Sequence, residues 1–352
     1  MLVGFKYKKG NMLYVNENSD SFVWELIRKA ITKESIEKKY NYAIKQKKID
    51  NIYYVFQQAK ELFIESLKAS DLVSPLYQFY SFSLLSKILI LIKNKEKDIE
   101  SLQQAHGLKI IVENRNIPLL NNIKVKIENN GTYDELLRIH NDINSLHGEE
   151  ITLDTLISRI IDIASLSKTM YSAPLLSVHE IETHDEPYKG DGKDKNIIIY
   201  LNIGSRNRIN GLVNEFPDVG FDKLVPKNQI TSFDPPGKGF CYYYNSQEKP
   251  EIVIQTDIYN NKFLVAPIQL SNIKYVYTQY ELLYATSFIA SNLVRYYPDT
   301  WKIVNSNSTE FWIYNYLIKM ANRTFPNYIL NQLLLDEVVI LPPGTSMYSY
   351  NE

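Results

Sequence analysis

His106 stands directly before a glycine in AHGL, ahead of the β-like run KIIVE, and Arg295 closes an apolar helix in NLVRYYPDTW, Asn292 to Trp301. An arginine that leaves a largely apolar rod beside Pro298, a helix stop, needs a partner for its guanidinium. Two readings stay open. Either Arg295 binds helix-end carbonyls or a carboxylate, with Tyr296, Tyr297 and Trp301 packed about it as a plug, or it is the anion-holding residue of a pocket. His106 either complements a helix C-terminus, with Gly107 as the residue that ends the helix, or joins Arg295 in a polar site as a weak candidate acid or base. A separation beyond about 12 Å would exclude such a shared site.

The other chemistry-bearing residues point less far. His140 and His147 lie seven apart in one predicted helix, but a metal would need a third convergent ligand, and His147 before Gly148 reads more simply as a C-terminal cation. HEIETHDE, His179 to Glu186, looks at first like a zinc-protease HExxH. Its histidines are five apart, about 140° round a helix, and the local pattern is strand or loop, so one helical face cannot present both. Cys241 lies among tyrosines in GFCYYYN and reads as a structural cysteine. A single cysteine excludes an intramolecular disulfide framework and a multi-cysteine metal site. There is no Walker loop, GxGxxG or GxSxG, so no metal and no cofactor is expected. The 27 tyrosines, with Tyr242 to Tyr244, Tyr275, Tyr277 and Tyr280 in or beside one region, either stack bases or a partner, or lie half-buried with the hydroxyl wet.

Net charge is −1 over 352 residues, so the molecule as a whole lacks the basic surface of a typical nucleic-acid binder. The distribution is uneven: Met1 to Lys60 holds twelve Lys/Arg against six acids. Within it Lys38, Lys39, Lys45, Lys47 and Lys48 form either a contact for nucleic acid or another anion, or a solvated helix face. No stretch reads as a membrane span, and MLVGFKYKKG lacks a signal-peptide core, which places the expectation in the cytoplasm, off the membrane.

Helices must position these groups. Ser21 to about Tyr42 is one predicted helix; a second follows Asp50 as N-cap, with Val55, Ala59, Leu62, Phe63 and Leu67 on a stripe. SPLYQFYSFSLLSKILILIK starts with Ser74 as N-cap and Pro75 in its first turn, and is apolar nearly all round, so it belongs at the centre of a bundle. KIIVE and IKVKIE read as two short strands, ended by the turn Asn129-Asn130-Gly131. Thr132 and Glu135 predict a capping box for a helix running to His147, and a further helix is predicted over about 152–170. From 175 to 277 the period becomes strand-like: LLSVHEIE, NIIIYLNI, GFCYYYN, EIVIQT and KFLVAPIQL are split by Gly/Pro/Asn turns, with a short helix near 210–216. Helices return at Thr278 and continue through STEFWIYNYLIKMANR and PNYILNQLLL; the tail LPPGTSMYSYNE reads as a surface strap. The expected fold is α+β, a mainly helical framework from regions 1–174 and 278–352 with an inserted, mostly antiparallel β region at 175–277.

The order of these pieces resembles the bacterial YaaC-like protein family. The match rests on Trp24, the Pro75-led helix with Tyr77 and Tyr80, His106-Gly107, and Arg295, Tyr296, Pro298 and Trp301 near the C-terminal end. The resemblance implies a bacterial cytosolic protein and no defined reaction. HEPN-type ribonucleases, which pair an Arg with a His four to six residues on, are disfavoured, since Arg115, Arg138, Arg159 and Arg295 lack a His in that window. The leading expectation is a binding or regulatory component of a defence or stress module, acting with a protein partner, as a homo-oligomer, or on nucleic acid. The alternative is an enzyme on nucleic acid or nucleotides, with His106 as acid/base and Arg295 as phosphate clamp.

Overall fold

The computed structural model describes residues 6–9, 12–16, 19–115, 118–139, 146–163, 178–185, 196–201, 224–225, 240–245, 254–271, 274–306, 311–334 and 337–341. The chain forms an α+β fold with two compact units, one from residues 1–157 and 279–352, the other from 158–278. The short helix expected near 210–216, His140 and the tail beyond Leu341 lie outside the described residues.

In the first unit, β1 (Lys6–Lys9) and β2 (Met12–Asn16) form an antiparallel hairpin, and a strand near the other end of the chain, Glu337–Leu341, adds to β2 in parallel. Helices α1 (Ser19–Ala30) and α2 (Lys33–Tyr40) occupy the stretch expected to be one helix. The break falls at Thr32, whose hydroxyl accepts the Ser35 N–H and so caps α2. Helix α3 (Gln46–Lys68) starts a turn before Asp50, which sits inside it and accepts a bond from Gln46 Nε2 at 2.9 Å. Its buried face runs through Ile52, Val55, Phe56, Ala59 and Phe63, while Leu67 of the expected stripe is exposed.

Helix α4 (Ser74–Lys93) is the centre of this unit, packed against α3 and two later helices. The Ser74 hydroxyl donates to the Ser66 carbonyl at 2.8 Å and joins α4 to α3, so it does not act as the expected cap. Among the described residues α4 is the one helix long and apolar enough to cross a membrane, a point the sequence reading missed; most of it is covered by neighbouring helices.

Strands β3 (Leu108–Val112) and β4 (Ile123–Ile127) pair antiparallel as expected. A third strand, β5 (Glu150–Thr152), joins β4, and of the helix expected over about 152–170 the described residues show the short helix α6 (Leu153–Ile157) and a single 3-10 turn at Ile161–Ile163, while 164–170 lie outside them. Helix α5 is also shorter than expected, Thr132–Arg138. Its predicted capping box is absent: the Thr132 hydroxyl bonds the Ala105 carbonyl, and Glu135 pairs with Lys97 Nζ at 2.7 Å. The first helical N–H groups go to a neighbouring segment instead, Thr132 N to Ala105 O at 2.9 Å and Tyr133 N to His106 O at 3.0 Å. The unit closes with α7 (Gln279–Tyr296), α8 (Pro298–Val304), α9 (Trp312–Leu334) and β14 (Glu337–Leu341). Helix α9 runs on through Pro326, and Gln78 of α4 donates to the Ile318 carbonyl and, at 3.0 Å, to Asn322 Oδ1 in the turns before that proline.

The second unit holds an antiparallel sheet built from β6 (Val178–Asp185), β7 (Asn196–Leu201), β8 (Leu224–Val225), β9 (Phe240–Asn245), β10 (Ile254–Thr256) and β11 (Lys262–Val265), in the order β10-β11-β6-β7-β9-β8, with a two-stranded pair, β12 (Ile268–Gln269) and β13 (Lys274–Tyr275). His179 and His184 therefore lie on an extended strand, β6, which removes the helical HExxH reading. Tyr275 and Tyr277 are buried, as is Tyr280 of the first unit, so none of the three offers a ring for stacking bases.

Candidate functional site

Two of the five lysines of the expected basic contact serve helix ends. Lys48 is 5% exposed and donates from Nζ to the carbonyls of Asn94 at 2.9 Å and Lys95 at 3.2 Å, just past the end of α4. Lys39 donates to the Leu334 carbonyl, and the Tyr40 hydroxyl to Gln332 O at 3.0 Å, at the end of α9. Cations and donors are favoured there because unpaired carbonyls and the helix dipole leave partial negative charge. Burial is the main cause that lowers the Lys48 pKa, against the raising pull of Asp98 and Glu96. Lys47 pairs on the surface with Glu100 at 3.0 Å, and Lys38 and Lys45 are exposed.

His106 and Arg295 do come together, on α4. Arg295, at the end of α7, donates from Nη1 to the Tyr80 hydroxyl at 2.8 Å, with its guanidinium carbon 5.6 Å from the Tyr80 ring centroid and 4.8 Å from that of Tyr296. The His106 ring centroid is 6.0 Å from the same Tyr80 ring, 4.9 Å from Phe79 and 5.9 Å from Phe288. Laid end to end, the two distances through Tyr80 stay under the limit set for a shared site.

The local cause is the segment before β3. Gly107 has φ +78, a left-handed turn that L side chains rarely adopt. It ends no helix, contrary to the C-terminal reading; it turns the chain so that the His106 carbonyl meets α5 while the ring faces α4. Gly131 lies so close that only hydrogen fits between it and Gly107.

Neither expected partner of Arg295 is present. Among the described residues its guanidinium has no carboxylate, and its Nε is buried without a hydrogen-bond partner, as is His106 Nδ1. The expected plug also fails: Tyr296 is 63% exposed, Trp301 is buried, and Tyr297 lies beneath Arg115, whose guanidinium carbon is 4.7 Å from the ring. Burial is the main cause that pushes the His106 pKa down to about 4, with the charges of Arg295 and Lys87 adding to it. The imidazole is thus neutral near pH 7, under the charges of Arg295 and of Lys87, whose own pKa burial lowers.

His147 does not act as a C-terminal cation. Its Nδ1 accepts the Asn129 backbone N–H at 3.1 Å, so the ring is engaged by the turn after β4 and by no helix end. No group of three or more metal-ligating side chains occurs among the described residues.

Sequence reasoning missed Lys87, although the signal was present: it is the lone charge in the apolar run SPLYQFYSFSLLSKILIL. Comparison with curated proteins and with solved structures gave no match. A family model does match, over residues 16–333, and the chain belongs to the YaaC-like protein family.

Proposed function

We propose that the protein is a binding or regulatory component of the cytoplasm whose His106–Arg295 site holds an anionic ligand. The observation that carries this reading is the guanidinium of Arg295, partly buried between Tyr80 and Tyr296 with no carboxylate among the described residues to neutralise it. A partly desolvated guanidinium gains most from a carboxylate or phosphate that accepts two parallel bonds. The neutral His106 beside it adds a donor without adding a third charge.

Binding is favoured over catalysis by the same histidine. A general base works best with a pKa near the working pH, and His106 is held well below it.

Native mass spectrometry of the gently purified protein, with its absorbance ratio at 260 and 280 nm, reads bound anion, co-purifying nucleic acid and oligomeric state in one preparation. Phosphate or a phosphorylated ligand is expected on the wild type. Arg295→Ala should weaken its binding about 100-fold, and unchanged binding in that folded variant would overturn the proposal.

A further inference from the structure

Resting on that reading, we infer that Lys87 is a second anchor of the same site and that the ligand is a polyphosphate, bridged from Arg295 to Lys87 across His106.

The inference starts from the exposure pattern of α4. From Pro75 to Ile92 the positions that are not fully buried are Leu76, Tyr77, Tyr80, Leu84 and Lys87. Tyr77, Tyr80, Leu84 and Lys87 follow i, i+3, i+7, i+10, which is one stripe of a helix with 3.6 residues per turn. The most buried helix of the unit therefore opens along a single line, and that line carries the Tyr80 that holds Arg295. Seven residues at 1.5 Å each set Tyr80 and Lys87 about 10 Å apart along the axis.

The charges on that line are arranged for an anion longer than one phosphate. Arg295 stands at the Tyr80 end and Lys87 at the other, and His106 feels both. Among the described residues Lys87 makes no salt bridge. Burial lowers the Lys87 pKa, and Glu135, whose Oε1 is already engaged by Lys97 at 2.7 Å, pulls it the other way. The Glu135 Oε2 is buried without a hydrogen-bond partner, so this one carboxylate of α5 serves two lysines, Lys97 and Lys87, and one positive charge remains in excess. A monoanion at Arg295 would leave the excess positive charge at Lys87 unmet, whereas a chain of phosphates meets both cations. The same chemistry is offered by a free nucleoside triphosphate and by successive phosphates of a single strand.

The test is calorimetric titration of the full chain with orthophosphate and with tripolyphosphate. Wild type should bind tripolyphosphate about tenfold or more tightly than orthophosphate, one added ion pair at partial burial being worth about that much. Lys87→Gln should bring the tripolyphosphate affinity down to about that of orthophosphate for the same variant, while Lys87→Arg restores the difference; circular dichroism melts check that both variants fold. If Lys87→Gln keeps the preference, the inference fails and the Arg295 site stands. If wild type binds neither anion, the site reading fails and takes the inference with it. If Lys87→Gln does not fold, the wild-type ratio decides, and equal affinity for the two anions overturns the inference. Displacement of tripolyphosphate by adenosine triphosphate but not by a ten-residue oligouridylate assigns a free nucleotide; the reverse assigns a strand.

Discussion

Gly131→Ala is expected to destabilise the protein by about 3–5 kcal/mol, a loss comparable to the whole stability of a modest domain. The added Cβ would overlap the Gly107 backbone N and Cα and come within 2.8 Å of the His106 carbonyl carbon. All three are backbone atoms, so no side chain can swing away. Nor can the segments part, because Thr132 N and Tyr133 N are bonded to the carbonyls of Ala105 and His106. Gly148→Ala is the control: its φ of +88 makes alanine unfavourable, yet nothing lies within 4 Å of the new Cβ. That variant should cost about 1–2 kcal/mol. Denaturant titration of the pair measures the difference, and equal costs would show that the two backbones do not approach as closely as described. Because His106 sits in the strap that Gly131 admits, the surviving folded fraction should also lose anion binding.

Phe82→Ala should cost about 3–5 kcal/mol for a different reason. Phe82 is fully buried in α4 and stacks on Phe325 of α9, with centroids 4.0 Å apart and planes 9° from parallel. Truncation leaves a void in the contact between the central helix and α9, beside Pro326, where the helix has one backbone donor fewer to hold it straight. Phe82→Leu keeps most of the volume and should cost less than half as much. Thermal melts of the two variants separate cavity formation from loss of the ring pair; similar midpoints would mean that the site collapses freely.

What the sequence revealed depended on how local the cause was. Helix α4 could be read because its evidence lies within it: Pro75 in the first turn and an unbroken apolar surface. Strands β3 and β4 could be read for the same reason, and so could the strands of the second unit. The Thr132–Glu135 capping box could not. Its local pattern is correct, but Thr132 finds the Ala105 carbonyl and Glu135 finds Lys97, partners that only the tertiary fold supplies. Thr32 is the converse case, a cap hidden inside a run that looks like one helix. The pairing of β2 with β14 joins the two ends of the chain, and no pattern within either strand announces it.

The proximity of two residues was legible in outline. His106 and Arg295 were paired through the family pattern, and they share the Tyr80 ring. The lysines illustrate the opposite risk: Lys39 and Lys48 resemble a basic patch in sequence and are carbonyl caps in space. A charge count cannot distinguish a lysine facing water from one facing the end of a helix.

The most direct test of the anion site is the titration of His106 by NMR, with and without phosphate. In the free protein the ring should take up its proton near pH 4, because burial and the nearby cations oppose it, against 6.5 for an ordinary histidine. A folded-state pKa below the unfolded value means that the stability contributed by the neutral ring is complete above about pH 6.5 and is lost as the pH falls toward 4. A phosphate bound at Arg295 supplies negative charge beside the imidazole and should raise its pKa by about one unit or more. A ring that titrates near 6.5 in the free protein, or one that phosphate leaves unmoved, would contradict the account.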